Sequence, residues 1–249
     1  MSNRVVAIIQ ARMTSTRLPG KVLMPLAGKP LLYRMLERVQ RIRGLDAVCL
    51  AIPEGKAHDP IAKIASSEIS LYRGDEQDVL DRTFRAAQQM KADTVMRVTS
   101  DCPLIDPEVS GDVLSAFENS PVAYARTAFD SGYPHGFDTE VFSFDALSTA
   151  HSEASEADER EHVTPFIWRR PDRFPAMELD HRPDLREWRL TVDTPEDYEL
   201  ISQVFDTIYP QNPNFGFAEL KNLFAEQPRL LEINASVSQP KLAGMPGES

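Results

Sequence analysis

Cysteine is nearly absent, with two residues in a chain of 249. Cys49 lies in an apolar run and Cys102 in a separate segment. With no metal-ligand spacing between them, the expectation is two reduced thiols, which excludes a disulfide scaffold or a thiolate metal centre. Long hydrophobic runs are missing too, and none approaches the ~20 residues that a membrane span needs. The opening "VVAII" is too short for a secretory h-region, and no A-x-A-like cleavage site follows it, so a cytoplasmic location is expected. The chain also lacks G-x-x-x-x-G-K-[ST], G-x-G-x-x-G and a D-x-D metal motif ("DTE" and "DTP" do not supply one). A P-loop, a dinucleotide fold and a D-x-D glycosyltransferase are thereby set aside. No internal repeat is visible. A formal charge of -11 opposes a nucleic-acid partner, because phosphate backbones demand a broad basic surface.

One local shortage runs against that charge. No acidic residue precedes Glu37, while Arg4, Arg12, Arg17, Lys21, Lys29 and Arg34 all fall before it. A solvated basic loop is the plain explanation. An acidic total makes such a skew improbable by chance, and a site for one small polyanion explains it better.

Hydrophobic residues make up 42% of the chain and charged residues 26%, ordinary values for a globular domain. Short apolar runs alternate with helical patterns. "VVAII", "AVCLAI" (47–52), the weaker "SLYRG" and "TVMRVTS" (94–100) read as strands. Helical spacing runs from Pro30 to a stop at Gly44, and again from Val79 to Met90. Short helices are predicted over 60–66 and from Pro107. Strand–helix alternation implies parallel strands joined by right-handed crossovers, hence an α/β, Rossmann-like open, mostly parallel sheet with helices on both faces. The pattern loosens from Val122, and a segment of about 122–170 is expected to form an inserted flap or dimerisation element. "EWRLTV" (187–192) reads as a last strand. It leads into "DTPEDYELISQVF", where Thr194 caps, Pro195 takes the first helical position and Asp197 completes a capping box. A single domain over 1–234 is expected, with 235–249 as a tail poor in large apolar residues.

Ligands of open parallel sheets bind beyond the carboxyl ends of the strands. The opening loop "QARMTSTRLPGKVL" lies there. Ser15, Gly20 and their neighbours let backbone N–H groups approach a polyphosphate, and Arg12, Arg17 and Lys21 add charge-assisted bonds. A loop cation aimed at phosphate is expected to be idle in the free fold. "VTSDCPLID" puts Asp101 just after a strand on the same edge, and Asp193 ends the last predicted strand in the same manner. Each alone is as good a cap as a ligand. Facing polyphosphate, the two together imply Mg²⁺ between carboxylate and phosphate.

"IIQARMTSTRLPGKVLMPLAGKPLL" closely resembles the opening of the cytidylyltransferases, the family of CMP-KDO and CMP-acylneuraminate synthetases. The likeness continues through "RGDEQDVLDRT", "RVTSDCPLIDP", "GFDTEVFSFDAL", "EREHVTPFI" and "RLTVDTPEDYELI", spanning nearly all of 4–208. Gln10, where the sugar-acid synthetases often have Pro, points to the branch of the spore coat polysaccharide biosynthesis protein SpsF. The resemblance implies a nucleotidyltransferase that uses CTP and Mg²⁺ on a sugar or sugar-acid acceptor, for surface polysaccharide synthesis. A guanylyl- or other nucleotidyltransferase on a sugar 1-phosphate, and a noncatalytic nucleotide-binding domain, are the alternatives. By this likeness Ala11, Arg12, Ser15, Arg17 and Lys21 match the nucleotide-binding loop, with Arg12, Arg17, Lys21 and Asp101 in the catalytic set. Asp101 and Asp193 match the metal aspartates. Gly136, Asp138 and Glu140 fall in the region that meets the acceptor sugar in related enzymes, with an exposed polar strand edge as the alternative. His162, in "EREHVTP", is either a substrate contact or a helix-surface histidine. Related synthetases also suggest a homodimer.

Overall fold

The computed structural model describes residues 3–65, 67–127 and 131–238. The chain opens with β1 (Val5–Gln10), whose residues through Ile9 are all buried. A tiny hairpin, β2 (Pro25–Leu26) with β3 (Lys29–Pro30), leads into α1 (Leu31–Val39). Then come β4 (Ala47–Pro53), α2 (Asp59–Ala62), β5 (Ile69–Gly74), α3 (Val79–Met90) and β6 (Thr94–Thr99). After these follow α4 (Pro107–Glu118), β7 (Tyr124–Thr127), β8 (Glu140–Ser143), α5 (Phe144–Glu153), α6 (Ala157–His162) and α7 (Pro165–Trp168). The fold closes with β9 (Ala176–Leu179), α8 (Pro195–Ile208) and α9 (Phe217–Glu226).

Seven strands form one sheet in the order β5-β4-β1-β6-β8-β7-β9. The first four are mutually parallel, and β8 alone runs antiparallel to its neighbours. Strands buried on both faces need apolar side chains at every position, which is why they read as continuous runs. Alternate residues feed two cores. Ala7, Ile9, Leu50, Met96 and Val98 pack with α1 and α4. Val6, Ile8, Cys49, Ala51 and Val95 pack on the other face with α3, α5 and α7. A third core joins Leu31, Phe137, Leu190 and Val192 to α8 and α9. Both cysteines are free and buried. Among the described residues, no helix is long and apolar enough to cross a membrane.

Three expectations change. The run 187–192 is not a sheet strand: Arg189 makes one isolated bridge with His135, and Val192 N–H donates to the Asp101 carbonyl at 2.8 Å. Its backbone bonds go to two loops instead of a ladder. The edge strand is β9, which sequence pattern did not mark because two of its four residues are exposed and none is fully buried. Within the segment expected as a flap, β7 and β8 are strands of the main sheet, paired to each other, with β8 also paired to β6 and β7 to β9. The first helix is also shorter than its apolar spacing predicts, ending at Val39 before a turn to Gly44 at φ 90°. Of the expected tail, residues 239–249 lie outside the described residues. Asn234 is 2% exposed and donates to Arg189 O and Asp197 Oδ1.

Candidate active site

The strand order reverses at β1, with β4 on one side and β6 on the other, so a crevice opens beyond their carboxyl ends. The loop after β1 fills it. Gly20, at φ 71°, supplies the left-handed turn that closes this loop, and its N–H donates to Met13 O at 3.1 Å. Ser15 Oγ accepts from Leu18 N–H, a short local turn within the loop. A tight turn of helix, Lys21–Leu23, follows at once and points Lys21 inward.

Lys21 is 7% exposed and its ammonium is fully engaged. It donates to Val192 O at 2.7 Å, to Asp193 Oδ1 at 2.9 Å and to Asp101 Oδ2 at 3.2 Å. Burial alone would lower its pKa, but Asp101 and Asp193 outweigh that and hold it above the ordinary value. Burial would likewise raise the Asp101 carboxyl, yet Lys21 and the Thr99 hydroxyl hold it down at about 2. This overturns the expectation of an idle loop cation: Lys21 works in the free fold as the centre of an ion cluster.

Arg17, half exposed, reaches Asp193 Oδ1 at 3.0 Å. On the other oxygen Asp193 accepts from Arg189 at 2.9 Å. Arg189 in turn grips Asp197, which also takes the N–H groups of Asp193 and Thr194. The capping box predicted at Thr194–Asp197 is present, and it does more than cap: it fixes the backbone that carries Asp193. Arg189 and the orienting role of Asp197 were not foreseen. The only signal was an arginine four residues before Asp193 and an aspartate four after it.

The remaining candidates divide. Ala11 is buried, its N–H donating to Ala51 O, so it fixes the start of the loop. Arg12 makes no hydrogen bond or ion pair among the described residues. Its charge bears on buried Arg82, whose pKa falls to about 10 chiefly through burial and then through Arg12. Gly136 sits at φ 107° against the backbone just before Asp193, where a Cβ would lie 2.6 Å from the Leu190 carbonyl. Asp138 accepts from Gly136 N–H at 2.8 Å and pairs with His135 at 3.4 Å. Glu140 stands apart from the lysine cluster. It is bonded to Arg97, Tyr124 and Thr164, and Arg97 continues to Gln10 at the end of β1. Burial would raise the Glu140 carboxyl, but Arg97 and these hydroxyls hold it below the usual range. His162, half-buried at the end of α6, has its pKa lowered mainly by burial, and Arg97 adds to the effect. The structure thus joins Arg17, Lys21, Asp101 and Asp193, sets Gly136 beside them, and leaves Glu140 and His162 in a second cluster around Arg97.

Among the described residues, no three His, Cys, Asp or Glu converge as a metal site. Asp101 and Asp193 both reach the Lys21 ammonium. A hard divalent cation that takes its other ligands from phosphate and water needs no more carboxylates than these, so the donor set fits such an ion.

A mostly parallel, doubly covered sheet with an arginine- and lysine-bearing loop facing two aspartates at its switch point defines a nucleotidyltransferase. The family model for cytidylyltransferases matches residues 6–237. The chain belongs to the cytidylyltransferase family. It is 32% identical over 242 residues to an uncharacterized protein of Methanocaldococcus jannaschii, covering 95% of this chain and 96% of that one. It is also 32% identical over 236 residues to the spore coat polysaccharide biosynthesis protein SpsF of Bacillus subtilis, covering 91% and 96%. A 3-deoxy-manno-octulosonate cytidylyltransferase of Trichlorobacter lovleyi is 34% identical over 118 residues, covering 47% of this chain and 46% of its own length. Among solved structures, a cytidylyltransferase from Leptospira borgpetersenii superposes with a TM-score of 0.87 at 29% identity, covering 97% of this chain and all of that one.

Proposed function

We propose that this chain transfers a cytidylyl group from CTP to a sugar or sugar acid, releasing pyrophosphate, in the synthesis of a surface polysaccharide. The observation that carries this reading is the convergence of Arg17 and Lys21 on Asp101 and Asp193 at the sheet's switch point. An acceptor oxygen attacks the α-phosphorus of CTP, and the bond from that phosphorus to the bridging oxygen breaks. The electron pair leaves with pyrophosphate, and the proton of an attacking hydroxyl passes to solvent. Such phosphoryl chemistry asks the protein for positioning and charge neutralisation rather than covalent help. Arg12, without a hydrogen bond or ion pair among the described residues, and Arg17, half exposed, meet the triphosphate, and backbone N–H groups around Ser15 approach it. Lys21 holds the two aspartates in place and adds its charge to the site through space. Asp101 and Asp193 would hold Mg²⁺, which supplies charge neutralisation to the phosphates when bound. Gly136 leaves room for close backbone approach beside the cluster, and Asp138, Glu140 and His162 border the acceptor side.

The curated relative SpsF supports the polysaccharide setting, and the matching half of the octulosonate enzyme supports CTP and a sugar acid. Pyrophosphate release from the four nucleoside triphosphates, screened against sugar acids and sugar 1-phosphates, tests the proposal. Release with CTP and one acceptor class is expected, together with protection of the protein against heat by CTP and Mg²⁺. Stronger protection and turnover with GTP would replace the base. Protection without turnover on any acceptor would refute the reaction.

A further inference from the structure

Between Met13 and Gly20 the loop is exposed at Thr14, Thr16, Arg17 and Pro19, while Met13 and Leu18 pack part-buried against the cores and Arg17 reaches Asp193. Further ties hold its neck. One is the Gly20 N–H to Met13 O bond. The others come from two loops after neighbouring strands. His58, in the turn following β4, is 2% exposed, and its Nδ1 accepts the Met13 N–H at 3.3 Å. An accepting Nδ1 needs its lone pair, so the ring proton of the neutral imidazole sits on Nε2. That Nε2 faces Glu76 Oε2 at 3.8 Å. Glu76, in the turn between β5 and α3, accepts the Thr14 hydroxyl through its other oxygen.

We infer that His58 and Glu76 are positioning residues for the phosphate-facing loop: they hold the Met13 N–H and the Thr14 hydroxyl and so help set where Arg12 and Arg17 stand. The inference rests on the proposed reading of that loop as the triphosphate site. Lys21 is held separately by Asp101, Asp193 and Val192. Loss of the His58 tie therefore weakens nucleotide binding more than the chemical step.

Side-chain geometry gives a discriminating series. Asparagine places an amide oxygen near the position of Nδ1, whereas glutamine reaches toward Nε2 and alanine reaches neither. Hydrogen exchange of the segment spanning residues 11–23 in the nucleotide-free protein, and steady-state kinetics with CTP, are measured for H58A, H58Q and H58N well below their unfolding temperatures. H58A and H58Q are expected to exchange faster in that segment and to raise KM for CTP by about tenfold or more, with kcat changing far less. H58N is expected to restore both. Asparagine behaving like alanine, or unchanged loop exchange in H58A with only the unfolding temperature lowered, would make His58 a filler of space and overturn the inference. The exchange measurement needs no nucleotide, so wild-type inactivity with CTP would defeat the reaction proposed above without deciding the tie.

Discussion

Replacing Lys21 with Met keeps much of the side chain's bulk and removes its charge, and the structure sets the size of the result. The Asp101 carboxyl is held at about 2 against an ordinary 3.8, by Lys21 chiefly once burial is overcome. A change of that size corresponds to roughly 2 kcal/mol at neutral pH. Asp101 keeps 28% of its side-chain surface exposed, so water can take over part of the lost interaction and the figure is a ceiling for that pair. Asp193 retains Arg17 and Arg189, which limits the remaining loss. Lys21→Met should therefore unfold at a temperature lower by about 4–8 °C for a chain of this length. Folding depresses the Asp101 pKa, so its contribution is present above about pH 4 and is lost as pH falls through about 2. The Lys21 pKa is raised, so its contribution is full below 10.5 and lost as pH rises through the folded value. The stability gap between wild type and variant should accordingly be widest between these limits and narrow toward acid. Urea unfolding at neutral pH and at about pH 3 measures it. With CTP as the varied substrate the same variant should lose ~10²-fold or more in kcat/KM. A gap below about 0.5 kcal/mol at neutral pH, or one that persists undiminished in acid, would refute the ion-cluster account.

The two aspartates should differ in stability and agree in activity. Asp193→Asn unpicks Arg17, Lys21 and Arg189 and should destabilise more than Asp101→Asn, whereas each should nearly abolish turnover and the double variant should cost little more. Additive losses of stability with turnover intact, in unfolding and rate measurements of the three variants, would reduce both to fold-holding roles. Gly136→Ala forces a side chain into left-handed backbone with its Cβ 2.6 Å from the Leu190 carbonyl, and should cost roughly 1–3 kcal/mol in thermal or chemical unfolding.

Much of the fold was legible because its causes are local. The apolar runs at Val5–Ile9 and Val48–Ile52 are buried on both faces, and a strand so buried must be apolar at each position. Pro107 and Pro195 open helices where their missing N–H costs nothing. Local pattern misled at 187–192, where Leu190 and Val192 are buried as in a strand but the backbone pairs with the loops of His135 and Asp101. β9 escaped notice for the opposite reason: it has its ladder partner in β7 but little buried apolar surface. In the site, the cationic skew marked Arg12, Arg17 and Lys21 without showing that only Lys21 is buried. Arg189 carried only its four-residue spacing from Asp193 and His58 carried no signal, because their roles exist only through the groups they touch.

The sequence by itself determined the class of the fold, the strand-end placement of a basic loop and of Asp101, and the cap that starts α8. Each follows from residue type and spacing within about a dozen positions. Only tertiary structure decided that Lys21 meets Asp101, 80 positions away, and Asp193, 172 positions away, on one ammonium. It also decided that Glu140 turns to Arg97 rather than to that cluster. Spacing along the chain cannot state which loops share an edge once the strand order reverses at β1. Charges that lie far apart in sequence interact strongly only where folding has brought them together and removed the water between them.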